Sequence, residues 1–104
     1  MAKFYNITGS TGVTVGLVKP SGGSSSIKSI LLTNVHATAD ATVTLFIQDS
    51  PASVEPRKFH LLHTVTIPAN TSLFLDDASM FNFDRKFGLY ITVGASDTVD
   101  VIIN

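Results

Sequence analysis

The sequence predicts an all-β fold, an antiparallel β-sandwich or jelly-roll-like barrel of about eight strands. Apolar and polar residues alternate along many short segments, as they do in strands that bury one face. These segments follow one another at spacings of about ten residues and are separated by residues that favour turns. No segment has the length and period of a long helix. We therefore expect neither a helical nor a mixed α/β fold.

The composition indicates one domain whose surface contacts another protein. A chain of 104 residues has the usual size of a single domain, so we expect one domain over residues 1–104. Charged residues make up only 14 %, hydrophobic residues 44 %, and the mean hydropathy is +0.33. This composition is more apolar than is usual for a small monomer that stays in solution through its surface charge. We therefore expect part of the surface to be covered by a partner.

Charge and residue content argue against several classes of partner. The net charge is −1 and the seven basic residues are scattered, so the field that attracts nucleic acid is missing. The absence of cysteine excludes disulfides and thiolate chemistry. No apolar run approaches the roughly 18 residues that span a bilayer, and the start of the chain does not resemble a secretory signal. We expect no nucleic acid, no membrane and synthesis in a cytoplasm.

The first residues are expected to form an arm and a short edge strand over residues 1–23, followed by the core over residues 24–104. The segment Phe4 to Thr8 favours a strand, and Val13 to Val18 alternates before Pro20 ends it. An isolated short strand is not stable in water, so the arm either closes its own sandwich or adds a strand to a neighbour. We expect Phe4 to Thr8 to contact another subunit, while Val13 to Val18 pairs within its own. Deletion of residues 1–12 is then expected to leave the core folded.

The segment from Ile27 to Asp49 is interpreted as a β-hairpin core. Thr42 to Gln48 alternates cleanly and predicts a strand with one buried side. Ile27 to Val35 is apolar at both alternating sets of positions, which is typical of a strand covered on both faces. We therefore expect Ile27 to Val35 to lie centrally in its sheet.

Two further hairpins are predicted after the central one. Phe59 to Ile67 carries the longest strand pattern, which we expect to be kinked or bulged, and Ser72 to Leu75 returns after a turn. Leu89 to Val93 and Val99 to Ile103 form the third. Residues 50–56, with two prolines, predict an exposed loop that crosses between sheets or hairpins.

One helical turn is predicted between the second and third hairpins. The side chain of Asp77 can accept bonds from the amides of Ser79 or Met80, so a turn can form within residues 77–83.

The polar residues predict no metal site, cofactor or enzyme active site. His60 and His63 lie three apart on one strand and should face opposite sides, although a bulge can change this. His36 falls in a loop. Five aspartates do not follow a calcium-loop pattern and are expected to serve turns and strand ends: Asp76, Asp77, Asp84, Asp97 and Asp100. No serine lies in a nucleophile-elbow or phosphate-loop pattern, so we expect no enzymatic activity.

Aromatic residues are the strongest candidates for contact with a partner. Phe46, Phe74 and Tyr90 alternate with the aliphatic core positions of their strands. Three environments are possible for these rings: a second face of the sheet that is covered within the subunit, a subunit interface, or an exposed platform that stacks on sugar rings. Because tryptophan is absent, we favour the interface. The predicted interface residues, which include three from the arm, are Phe4, Tyr5, Ile7, Phe46, Phe74 and Tyr90.

Several segments carry a resemblance to a known group of proteins. They are Ser26 to His36, Ala41 to Ile47, Phe59 to Leu62, Ile67 to Leu73 and Leu89 to Ile103. Over residues 26–104 the chain resembles small virion structural proteins of tailed bacteriophages, particularly those of marine and cyanobacterial phages. The resemblance implies a β-sandwich subunit that works by assembly, and it supplies no active-site residues.

The resemblance implies a non-enzymatic virion protein that is synthesised in the cytoplasm of a bacterial host. We expect an outer capsid decoration (cement) protein that stabilises the particle as a homo-oligomer, with a trimer favoured. Its other partner is then a virion protein such as the major capsid protein. A neck, tail or baseplate component is an alternative, and so is a carbohydrate-binding module that binds a host glycan during adsorption.

Overall fold

A computed structural model describes residues 3–8, 14–18, 27–49, 58–81, 87–94 and 97–104. The chain forms strands wherever apolar and polar residues alternate, and a short 3-10 helix forms at Ala78–Phe81. The strands are β1 (Lys3–Thr8), β2 (Thr14–Val18), β3 (Ile30–Asn34), β4 (Ala41–Asp49), β5 (Lys58–Ile67), β6 (Ser72–Leu75), β7 (Phe87–Val93) and β8 (Thr98–Ile103).

The strands form two antiparallel four-stranded sheets that pack face to face. Sheet A has the order β1-β8-β3-β6, and sheet B has the order β2-β7-β4-β5. The first strand pairs with the eighth, the second with the seventh, the third with the sixth and the fourth with the fifth. This nested order is that of a jelly roll. The predicted eight-stranded all-β sandwich is confirmed.

The core lies between the two sheets and is aliphatic. Inward residues of sheet A such as Leu32 and Val101, and of sheet B such as Leu45 and Ile91, are fully buried. Burying each of these side chains stabilises the fold by roughly 1.5–3 kcal/mol relative to exposure. Phe81, at the end of the 3-10 helix, is buried with them. In the described part of the chain, no helix has the length and apolar character needed to cross a membrane.

The predicted turn at Asp77 is confirmed as the start of the 3-10 helix. The carboxylate of Asp77 accepts a bond from the Ser79 hydroxyl at 2.7 Å and one from the Ser79 amide at 3.0 Å. These two bonds, the hydroxyl first, hold the pKa of Asp77 below its usual value because they favour the charged form. The same residue therefore explains why the helix begins here.

The three predicted hairpins are wrong, because the strands of each lie in different sheets. The pairs β3 and β4, β5 and β6, and β7 and β8 each divide between sheet A and sheet B. A connection of four residues can cover either the roughly 5 Å between paired strands or the roughly 10 Å between packed sheets. Loop length therefore could not distinguish the two. The position of β3 between β8 and β6 confirms that it is central, although its outward Leu31 and Thr33 are only half-buried.

The only consecutive strands that pair among the described residues are β4 and β5. The proline-rich segment between them was expected to cross between sheets or hairpins, yet it joins two neighbours of sheet B. The whole of that segment, residues 50–56, lies outside the described residues.

The first strand belongs to the sandwich of its own subunit. β1 pairs with β8 from Lys3 opposite Ile103 to Thr8 opposite Thr98. Ile7 is buried in the core, and the hydroxyl of Tyr5 donates a 2.7 Å bond to the carbonyl of Leu17 in sheet B. Of the two alternatives for the arm, the structure shows the first, because the backbone of β1 pairs within its own subunit. The pairing of β2 with β7 confirms the expectation for the second strand over its described residues.

A buried asparagine fastens the connection between β3 and β4. Asn34 is fully buried at the end of β3. Its Nδ2 donates to the carbonyls of Ala39 at 2.9 Å and Ile67 at 3.0 Å, and its Oδ1 accepts from the His36 amide at 3.0 Å. One side chain thus satisfies three backbone groups of the connection and of β5.

Candidate functional site

The outer face of sheet A carries an exposed apolar row across all four strands. Phe4 lies opposite Ile102, Ile102 opposite Leu31, and Leu31 opposite Phe74. Phe4 is 71 % exposed and Phe74 is 56 % exposed, while the two aliphatic residues between them are half-buried. Directly opposed residues on one sheet face are close enough for their side chains to touch. We call these four residues the apolar row.

A polar row borders the apolar row on the same face. Asn6, Asp100, Thr33 and Ser72 lie opposite one another in register. The Asn6 amide donates to the Asp100 carboxylate at 2.7 Å, and the Thr33 and Ser72 hydroxyls share a 2.9 Å bond. These side chains bond to each other, so the face has a satisfied polar margin beside an apolar strip.

The edges of the two sheets differ. The pairings of β1 and β6 in sheet A run without a shift in register. The pairings of both edge strands of sheet B, β2 and β5, contain shifts of the kind that bulges produce. Bulges twist an edge away and discourage further strand pairing. Sheet A is therefore the sheet whose edges suit association.

The outer face of sheet B carries a stacked aromatic cluster. Phe46 stacks on Tyr90 with ring centroids 5.7 Å apart, and His60 contacts Phe46 at the same separation. The Lys58 ammonium lies 5.1 Å from the Phe46 ring centroid. Gly16 lies opposite Tyr90, where an added Cβ would come within 3.4 Å of the ring. These neighbours leave Phe46 only 3 % exposed, so its ring offers no open stacking surface.

His63 lies on the outer face together with His60, contrary to expectation. The pairing of β5 with β4 contains two bulges. Leu61 is an extra residue between the pairs His60–Phe46 and Leu62–Leu45, and farther along the strand His63 and Thr64 together lie opposite Thr44. The bulge at Leu61 reverses the alternation between His60 and His63, and their ring centroids lie 4.8 Å apart in an edge-to-face arrangement. The sequence indicated a bulge somewhere in β5, but not its position.

The second bulge, opposite Thr44, holds Thr64 in a left-handed backbone conformation. Its φ is 49°, which is unfavourable for a β-branched residue. The Thr64 amide donates to the Thr44 hydroxyl at 3.0 Å, and the Thr64 hydroxyl donates to the His63 carbonyl at 2.8 Å. These bonds help hold a strained position, and strain of this kind concentrates at functional sites.

Replacing Thr64 by glycine should stabilise the protein. Glycine adopts this φ without strain, so we expect a gain of about 1 kcal/mol in the free energy of unfolding. Urea unfolding of T64G and of the wild type measures the difference. A matched T66G variant, at an exposed strand position without positive φ, should lose stability instead. Equal losses in the free energy of unfolding of T64G and T66G would contradict backbone strain at Thr64.

The six predicted interface residues divide between three environments. Phe4 and Phe74 belong to the apolar row, whereas Phe46 and Tyr90 belong to the aromatic cluster on the opposite sheet. Tyr5 and Ile7 face the interior of their own subunit, so neither offers an open side chain to a partner. The sequence analysis missed Leu31 and Ile102, which complete the apolar row. Ile102 is apolar at an outward position otherwise held by Thr98 and Asp100, and this was the available signal.

Three of the five aspartates expected at turns and strand ends accept hydrogen bonds from backbone or side-chain groups. Asp77 caps the 3-10 helix, Asp97 accepts a 3.0 Å bond from the Thr42 amide, and Asp100 belongs to the polar row. Asp84 lies outside the described residues. Across the described ranges, no group of three or more histidine, aspartate or glutamate side chains could hold a metal ion.

Neither a protein-family model nor a curated protein sequence matches this chain. The class that its described strands define is an eight-stranded antiparallel jelly-roll sandwich.

Proposed function

We propose that the chain is a non-enzymatic structural protein of a bacteriophage virion, an outer capsid decoration protein that works as a homo-oligomer. It is synthesised in the bacterial host cytoplasm and then binds the particle, where the major capsid protein is its second partner. The resemblance over residues 26–104 suggests the virion. The observation that best supports assembly is the apolar row, which places exposed phenylalanines at both edges of one sheet.

The apolar row favours contact between two different edges of neighbouring copies. Phe4 lies on β1 and Phe74 on β6, so β1 of one copy meets β6 of the next. A contact between unlike edges is head-to-tail, and it closes into a ring when the rotation between copies permits. A trimer is the smallest such ring above a dimer. A stable interface buries about 800 Å² on each partner. Backbone pairing along the two edges contributes to this area together with the buried phenylalanines.

A neck, tail or baseplate position remains an alternative that uses the same assembly surface. The carbohydrate-binding alternative has less support. Phe46 is covered by its neighbours, and Phe74 lies on the sheet opposite to Tyr90, so the three aromatics do not form one platform. A glycan array on the purified protein tests this alternative directly.

Removing the two exposed phenylalanines of the apolar row should abolish self-association. We expect the F4S/F74S double variant to sediment as a monomer at concentrations where the wild type forms a trimer. Circular dichroism should show the same strand content, because both side chains project from the outer face. Analytical ultracentrifugation measures the oligomeric state.

The F59S variant is the matched control. Phe59 is 50 % exposed but lies on β5 in sheet B, outside the apolar row. It should sediment like the wild type. A wild type that remains monomeric, or a double variant that assembles normally, overturns the assembly surface.

The virion assignment has its own test. Mass spectrometry of phage particles purified from the organism that carries this sequence should detect the chain at a copy number comparable to that of capsid subunits. Its absence from purified particles overturns the assignment, whatever the oligomeric state.

A further inference from the structure

We propose that His60 and His63 form a two-histidine site for a divalent transition-metal ion on the outer face of sheet B. The site is independent of the apolar row, which lies on sheet A. Neutral imidazole nitrogens are good ligands for zinc, nickel and copper. Both histidines are exposed, so an ion can reach them from solvent.

The separation of the two rings fits ligands of one ion. A zinc ion lies about 2.0–2.1 Å from a histidine nitrogen, and therefore about 3.2 Å from the centre of that imidazole ring. Two such rings at an angle of about 90–110° around the metal have centroids about 4.5–5.2 Å apart. The 4.8 Å between the centroids of His60 and His63 falls within this range.

The sheet positions both histidines before an ion arrives. An unbulged strand would send side chains three residues apart to opposite faces. The extra residue Leu61, between the pairs His60–Phe46 and Leu62–Leu45, puts them on one face. The bond from the Thr64 amide to the Thr44 hydroxyl fixes the strand directly after His63. The His60 ring also contacts the Phe46 ring of the neighbouring strand β4. Rings held this way lose little freedom on binding, which favours chelation over binding by separate histidines.

The neighbouring groups set the class of ion. Among the described residues no aspartate or glutamate joins the pair, and the nearby Lys58 is a cation over Phe46. Calcium and magnesium need several oxygen ligands, so the site should reject both. Water completes the coordination of a transition-metal ion, which leaves open positions for an added ligand.

Zinc titration of the purified full-length protein tests the site. Isothermal titration calorimetry should find one zinc ion per chain, and nuclear magnetic resonance should show shifts confined to two of the three histidine rings. Losing even a supporting contact weakens metal sites by 10- to 100-fold, so H60A and H63A should each bind at least about tenfold more weakly. Magnesium should produce no heat.

Two controls separate the site from other effects. His36 lies between β3 and β4, and its Nδ1 accepts bonds from the amides of Thr38 and Ala39. The H36N variant keeps an acceptor there and should bind zinc like the wild type. The F4S/F74S variant should also bind normally, because the proposed ligands belong to one chain.

The proposed site is rejected if the wild type binds no zinc, or if the H60A/H63A variant binds zinc as well as the wild type. T64G provides a second check, because glycine preserves the backbone conformation and should preserve binding. None of these results depends on whether the protein assembles or occurs in a virion.

Discussion

Replacing Asn34 by alanine should lower the free energy of unfolding by about 3–5 kcal/mol, because three backbone groups lose their partner in or near the core. The bond to the Ile67 carbonyl is buried, and those to the Ala39 carbonyl and the His36 amide are partly buried. A buried polar group left without a partner costs about 1–3 kcal/mol. With a total stability of about 5–15 kcal/mol, the variant should be close to unfolding. Urea unfolding monitored by circular dichroism measures the loss.

The N70G variant is the control for this substitution. Asn70 donates one exposed 3.2 Å bond to the Ala37 carbonyl, and its φ of 58° suits glycine. The same connection thus loses one side-chain bond without strain. We expect a change below about 1 kcal/mol, as is usual for an exposed bond. If N34A and N70G cost the same, the buried asparagine does not fasten the connection as described.

Deleting residues 1–8 should abolish the cooperative unfolding transition. This reverses the expectation from sequence that the core would remain folded without its first residues. The deletion removes the pairing of β1 with β8, the buried Ile7, and the bond from Tyr5 to Leu17. It also exposes β8 as a new edge, which promotes aggregation. Thermal unfolding by circular dichroism and calorimetry measures the outcome.

Point variants keep this prediction measurable if the truncated chain is insoluble. I7A should lose about 2–5 kcal/mol, as buried isoleucines usually do. Y5F removes only the hydroxyl and should lose about 1 kcal/mol. F4S, altered at a side chain that is 71 % exposed in the subunit, should unfold like the wild type at protein concentrations low enough for both to be monomers. A truncated chain that melts cooperatively near the wild-type temperature would contradict the role of β1.

Strand positions could be predicted from the sequence, but their partners could not. Alternation predicts which side chains share one face of a strand. It correctly predicted a common buried face for Val43, Leu45 and Ile47 of β4. It carries no information about which strand lies beside another. The turns at residues 68–71 and 94–97 contain residues typical of hairpins, yet both connect different sheets. Pairing depends on contacts between residues distant in sequence.

The surface features depend on register and on a bulge in β5. The apolar row exists only because Phe4, Ile102, Leu31 and Phe74 lie opposite one another, and these residues come from four separate parts of the chain. The histidine pair depends on the extra residue Leu61 between them, and leucine is an ordinary strand residue that does not signal a bulge. A sequence pattern with a period of two cannot show where the period breaks.

The nested pairing of the strands also imposes an order on biosynthesis. β1 is translated before the other seven described strands, and its partner β8 comes ninety residues later in the register that joins Thr8 to Thr98. While the ribosome makes the intervening strands, Phe4 and Ile7 have no sheet to join. Contacts between such distant residues are slow to form, because the chain must close a long loop first. The apolar side chains of β1 are therefore open to chaperones, or to a second nascent chain, until β8 emerges.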